Sequence, residues 1–181
     1  QIGDGARALD LLRRALAVDH YAEDVLVKAR RVAKQHGLWR ELLGLFDERF
    51  VHMSQAGDVA AQIEVCFEAS DVAETRYGDA EKAFDWARRG FFVAVENGRD
   101  GAQGEARLRR LADAHRLWNH LLGVLEEEIA LQERLGHADD GTYDVAGRLQ
   151  QAADLALQRL DDPTRAVAYL QRAYRHHPHD E

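Results

Sequence analysis

Nine histidines are many for a chain of 181 residues, and imidazole is the side chain most often used to bind transition metals. Three of them cluster at the end of the chain, at His176, His177 and His179. They would chelate a metal ion weakly, and a frayed helix end is the interpretation that we favour. His115 and His120 are five residues apart, which places them on different faces of a helix. The histidine spacing therefore predicts no metal site.

The remaining reactive groups favour structural roles. Cys66 lies among Ile63, Val65 and Phe67 with no histidine within helical reach, which predicts an inert buried thiol. The acidic run 126–128 is typical of a solvent-exposed helix face. The sequence contains no phosphate-binding loop, nucleophile elbow or zinc-protease motif. We therefore expect no catalytic residues and no cofactor, and predict that the chain is not an enzyme.

Composition limits the possible partners and surroundings. The chain is 46% hydrophobic and 31% charged, as globular proteins are, and its net charge of −8 argues against general binding of nucleic acid or anionic membranes. Its apolar runs are much shorter than the roughly 20 residues of a membrane span, so we expect no membrane insertion. The single cysteine rules out an internal disulfide. We expect the chain to be cytoplasmic, and to be a fragment of a longer protein that starts within a repeat.

Apolar residues recur at helical spacing almost throughout, and they predict about nine amphipathic helices joined by short turns. Asp4 is the predicted N-cap of the first helix, and Gly37 is the predicted left-handed cap that ends the second. Residues 97–101 form the clearest loop, which we interpret as a turn between repeats rather than a domain boundary. Thr142 is a predicted cap, and Asp162 precedes Pro163 as an N-cap precedes the first helical residue.

Two phrases alternate along the chain, which is typical of stacked repeats. The phrase that begins Trp39-Arg-Glu-Leu-Leu-Gly44 returns 79 residues later as Trp118-Asn-His-Leu-Leu-Gly123. We interpret both tryptophans as packing residues at the turn between two helices. The second phrase starts with Gly-Asp or Asp-Asp and has an alanine four residues after its last aspartate. It occurs at residues 3–9, 78–84 and 161–167.

These spacings resemble those of the tetratricopeptide repeat (TPR) family, a helix–turn–helix unit. The last unit matches best, at Asp162, Ala166, Leu170, Ala173 and Pro178. The resemblance implies an all-α fold: an α-solenoid of antiparallel helix pairs in a right-handed superhelix. It also implies a single array over residues 1–181, with a half-repeat at 1–20 and repeats at about 21–56, 57–98, 102–138 and 141–178.

In the family, the first helix of each pair lines a concave groove. The family's groove positions fall here on Val27, Arg31, Lys34, Glu68, Val72, Thr75, Arg76, Ala106, Arg110, Asp113, Arg148, Gln151, Leu155 and Arg159. Among these, the candidate peptide-binding residues are Arg31, Lys34, Val72, Arg76, Arg110, Arg148 and Arg159. The resemblance therefore implies a scaffold that binds a peptide or protein segment, and the basic residues favour acidic character in that segment. Solvated helix positions with no ligand are the competing interpretation. The groove asparagines of the family's carboxylate clamp are missing, so we expect no clamp.

A structural role is the alternative function. Val167, Leu170 and Tyr174 share one face of the last helix, and no polar helix follows to cover it. A solenoid with such an end tends to self-associate, so the chain would then be a spacer or assembly segment of a larger protein. An enzyme built on helical pairs, like a prenyltransferase α-subunit, is a third possibility that nothing in the sequence favours.

Overall fold

The computed structural model describes residues 2–137 and 143–176, and in these ranges it contains nine α-helices and no strand. The all-α fold class is confirmed, and so is the number of helices within the described part of the chain. The helices are α1 (Ile2–Val18), α2 (Glu23–His36), α3 (Trp39–Gln55), α4 (Val59–Val72), α5 (Ala80–Glu96), α6 (Ala102–His115), α7 (Trp118–Leu135), α8 (Val145–Leu160) and α9 (Pro163–His176). A π-helical turn, Ala73–Tyr77, continues α4.

The turn inside each predicted helix pair has the same backbone conformation four times. One residue adopts the left-handed region and the next helix begins two residues later; these residues are Gly37 (φ 69°), Gly78 (φ 78°), Arg116 (φ 59°) and Asp161 (φ 52°). The predicted cap at Gly37 is confirmed. We call α2, α4, α6 and α8 the A helices, and α1, α3, α5, α7 and α9 the B helices. The repeated geometry is direct evidence of repeated local structure.

Aspartate side chains cap the N-termini of several helices, because the first N–H groups of a helix lack partners within it. Asp79 accepts a hydrogen bond from the Lys82 N–H at 2.9 Å, and Asp162 accepts one from the Arg165 N–H at 2.9 Å. The predicted N-cap at Asp4 is wrong. The helix already begins at Ile2, so Asp4 lies in its first turn, where its charge still interacts favourably with the helix dipole. Thr142 lies outside the described residues.

The chain divides into two compact units, unit 1 at 1–108 and unit 2 at 109–181. Their boundary falls inside α6 and away from the loop at 97–101, so that loop does not separate them. The single array from end to end stays a prediction. Each unit has its own core of fully buried side chains, with Phe46, Phe84 and Phe91 in unit 1 and Leu121, Leu122 and Ile129 in unit 2.

Helices α4 and α5 pack closely because Gly90 has no side chain. A Cβ atom built there would lie 2.7 Å from Cε1 of Phe67 and 2.9 Å from Cβ of Cys66. Both distances are shorter than van der Waals contact allows. Glycine at this position is therefore explained by packing inside unit 1.

Candidate functional site

The candidate site in unit 1 is built on two neighbouring A helices. Arg30 on α2 binds Glu68 on α4 with two hydrogen bonds, Nε to Oε1 at 2.5 Å and NH2 to Oε2 at 2.7 Å. A two-point contact between a guanidinium and a carboxylate fixes orientation as well as distance. Arg30 also reaches Glu23 at 2.7 Å, so its charge is used within the unit. These contacts hold α2 beside α4.

Three cations on α2 and on the π-helical turn after α4 are exposed. Arg31 and Lys34 are on α2, one helical turn apart, and Arg76 lies in the π-helical turn after α4. Within the described residues no carboxylate pairs with any of the three. Every other lysine or arginine on the A helices has a side-chain interaction; these are Lys28, Arg30, Arg107, Arg109, Arg110, Arg148 and Arg159. All three residues are among the sequence-predicted groove positions.

Val72, another predicted groove residue, is half-buried and is the last residue of α4 before the π-helical turn. Thr75 in that turn donates a hydrogen bond to the Asp71 carbonyl at 2.7 Å. Turns of this kind occur often at functional sites. The turn makes this A helix longer than α2 and carries Arg76.

In unit 2 the predicted groove cations are held by internal contacts. Arg148 lies 3.2 Å from Glu128, which is 3% exposed, and also donates to Gln151 at 3.0 Å. The prediction that the run 126–128 is solvent-exposed is therefore wrong for Glu128. A carboxylate buried between α7 and α8 is stabilised by this arginine. Arg110 is exposed and engaged in a further interaction.

Arg159 has two internal contacts of its own. Its guanidinium lies 4.5 Å from the centre of the Trp118 ring and 3.4 Å from Oδ1 of Asp113. A cation over an indole face is attracted by the ring quadrupole. Trp118 is half-buried as the first residue of α7, and Trp39 is half-buried as the first residue of α3, in the positions that the sequence predicts for packing residues.

Four predicted inner-face positions of unit 2 do come together around one cleft. The cleft has a volume of about 240 Å³ between α6 and α8, and these four residues are Asp113, Gln151, Leu155 and Arg159. Leu121 and Trp118 contribute apolar surface to its lining. The volume is below the roughly 300–1,000 Å³ typical of small-molecule sites.

The histidines and the cysteine named in the sequence analysis are the first groups to examine for chemistry. Among the residues that the structure describes, no group of three His, Cys, Asp or Glu side chains is placed to hold a metal ion. Cys66 is fully buried, and burial raises the pKa of its thiol to about 12, so the nucleophilic thiolate is suppressed. His177 and His179 lie outside the described residues.

A histidine pair that the sequence did not reveal joins the α1–α2 turn to α3. The rings of His20 and His52 stack with their centres 3.5 Å apart, and the buried Arg49 donates from Nε to the His20 carbonyl at 3.1 Å. Burial, and then the neighbouring His52, lower the pKa of His20. The contact favours the neutral form of His20.

No protein-family model matches the chain, and no curated protein matches it. Among solved structures, the chain is similar to the crystal structure of BtubC (BKLC) from P. vanneervenii. The two chains are 16% identical, with a TM-score of 0.48, over 98% of this chain and 90% of the other. Within the described residues no helix is long and apolar enough to cross a membrane.

Proposed function

We propose that this chain is a non-catalytic protein–protein interaction scaffold of the TPR type. Its ligand is an acidic peptide or protein segment that Arg31, Lys34 and Arg76 bind. We call the surface of unit 1 that carries these three residues the A-helix face. One observation carries the proposal: these three cations are exposed, and no carboxylate within the described residues pairs with them.

The charge balance makes this observation informative. The chain has 32 acidic residues against 24 basic ones, so an exposed arginine or lysine has many possible partners within the protein. Cations that stay unpaired in such a chain are available to an outside carboxylate. Charge-assisted hydrogen bonds from arginine to carboxylate are shorter and stronger than neutral ones. Exposed charges act mainly on the rate of association and on its salt dependence, so we expect binding to weaken as salt rises.

Charge reversal on the A-helix face tests the proposal. The probe is a fluorescein-labelled glutamate-rich peptide, titrated by fluorescence anisotropy, with a lysine-rich peptide of equal length for comparison. The double variant Arg31→Glu/Arg76→Glu is expected to bind the acidic peptide at least about tenfold more weakly than the wild type. The matched control is Arg7→Glu/Arg99→Glu, which changes the net charge equally at exposed positions outside the A helices. Equal weakening in both double variants would show that only net charge matters, and would refute the assignment.

A structural role is the second candidate, favoured by the surface of the last helix pair. Leu157, Val167, Leu170 and Tyr174 are each at least half exposed, and the last three line a largely apolar groove of about 450 Å³. Apolar surface left open in this way promotes association. Analytical ultracentrifugation tests it: concentration-dependent dimers that the variant Leu170→Glu abolishes would favour an assembly segment, and a monomer at all concentrations would exclude it.

A further inference from the structure

Glycine in the middle of α3 has no explanation inside the protein. A Cβ atom built on Gly44 would meet nothing within 4 Å, and its backbone is not in the left-handed region. Glycine in a helix interior costs about 1 kcal/mol relative to alanine. Packing accounts for Gly90, as described above, but not for Gly44. The same holds for Gly123 in α7, so an open glycine alone does not identify a site; at Gly44 the open space is part of a cleft.

The space beside Gly44 is a slot between the B helices α1 and α3. Its volume is about 280 Å³, and its apolar lining comes from Ala6, Leu9, Gly44 and Leu45. Leu9 and Leu45 are buried core residues, at 4% and 2% exposure, so the floor of the slot is fixed by packing. The missing side chain of Gly44 keeps one wall open. A volume of about 280 Å³ leaves room for the stem of a long side chain.

The rim of the slot is acidic. Asp10, Glu41 and Glu48 surround it, and Arg13 is the one cation among its lining residues. Arg13 bridges two of the carboxylates, at 2.9 Å from Asp10 and 3.0 Å from Glu48. Glu41 has no side-chain partner within the described residues. Asp10 also pairs with Arg14 at 3.0 Å, so three rim carboxylates face two guanidinium groups, and Glu41 gives the rim its excess of negative charge.

We propose that this slot binds a lysine or arginine side chain from a basic segment of a partner protein. The apolar stem of such a side chain lies along the leucines and glycine, and its charged head reaches the rim carboxylates. The groove on the other side of Gly44 has the opposite character, because Arg40, Lys82 and Arg89 there outnumber Asp47 and Asp85. Because of this difference in charge, a basic segment binds in the slot beside α1 rather than in the groove on the other side of Gly44. The site is separate from the A-helix face, and its ligand has the opposite charge.

The test uses a helical peptide with arginines beside a leucine stripe, and a second peptide with glutamate in place of arginine. Binding is measured by fluorescence anisotropy at low salt. Glu41→Lys is expected to weaken binding of the arginine peptide about tenfold. Glu96→Lys is the matched control, since Glu96 is exposed at the end of α5 and changes the net charge equally. Gly44→Leu fills the slot and is expected to abolish binding. Gly123 is the equivalent glycine in α7, and Gly123→Ala is expected to leave binding unchanged.

The proposal is supported if the protein prefers the arginine peptide and if Glu41→Lys weakens its binding while Glu96→Lys does not. Equal binding of the two peptides, equal effects of the two charge reversals, or wild-type binding by Gly44→Leu would overturn it. If Gly44→Leu does not fold, as judged by circular dichroism, the comparison of Glu41→Lys with Glu96→Lys decides. Arg31 and Arg76 do not line the slot, so the variant Arg31→Glu/Arg76→Glu should still bind the arginine peptide. Binding of the arginine peptide in that variant therefore tests the slot separately from the proposed function.

Discussion

Substituting the mid-helix glycines by alanine gives opposite results at different positions. Gly44 and Gly123 lie in the interiors of helices of 17 and 18 residues, and a Cβ atom at either meets nothing within 4 Å. Each substitution therefore gains the helix propensity of alanine without a packing penalty. We expect Gly44→Ala and Gly123→Ala each to raise the free energy of unfolding by about 1 kcal/mol.

Gly90→Ala is expected to destabilise the protein, although it is the same chemical change. Its Cβ would lie 2.7 Å from Phe67 and 2.9 Å from the Cβ of Cys66, which is close to the backbone of α4 and unable to swing away. Overpacking of this kind costs about 1–3 kcal/mol, which offsets or exceeds the gain in helix propensity. The sign of the change in the free energy of unfolding thus distinguishes a glycine in a tightly packed contact from one beside open space.

Differential scanning calorimetry measures the three variants against the wild type. A gain of about 1 kcal/mol corresponds to a rise of roughly 2–4 °C in Tm for a chain of this size. Gly44 lies in unit 1 and Gly123 in unit 2, so separate transitions would shift one at a time. A loss of stability in Gly44→Ala, or a gain in Gly90→Ala, would refute the packing argument.

Three further predictions concern buried titratable groups. The pKa of His20 is lowered in the folded state, so its contribution to stability is complete above the unfolded value of about 6.5 and is lost as the pH falls from there through the lower folded pKa. Urea unfolding from about pH 7 to about pH 5 should therefore show a smaller loss in His20→Gln than in the wild type; equal slopes would contradict this. Glu128→Gln removes the carboxylate charge that faces the mostly buried Arg148, and we expect the free energy of unfolding in urea to fall by roughly 3 kcal/mol; a change under about 0.5 kcal/mol would contradict the burial of this pair. Cys66 should react with a disulfide reagent only at the rate at which the protein opens, and rapid modification of the native protein would contradict its burial.

The sequence predicted the helices well because their apolar residues recur at one period and their caps are short-range signals. Gly37 and Gly78 mark two of the four left-handed turns, since glycine is the usual residue there. Arg116 and Asp161 occupy the same conformation without glycine, and no local signal announces it. Tertiary context fixes those two turns, which is why their conformation was visible only in the structure.

The candidate site was predicted in part. The family resemblance selected Arg31, Lys34 and Arg76, and the structure leaves these exposed. It also selected Arg148 and Arg159, whose partners Glu128 and Asp113 are 20 and 46 residues away in the chain. Pairing over such separations depends on how the helices pack, and a single sequence does not encode it in any local pattern.

The measurement that tests the proposed function most directly is an NMR titration of the labelled protein with the glutamate-rich peptide. We expect the largest saturable shifts on backbone amides around Arg31, Lys34 and Arg76, and we expect added salt to reduce them. Shifts confined to other surfaces, or none at peptide concentrations that saturate anisotropy, would contradict the assignment of the A-helix face of unit 1 as the binding site.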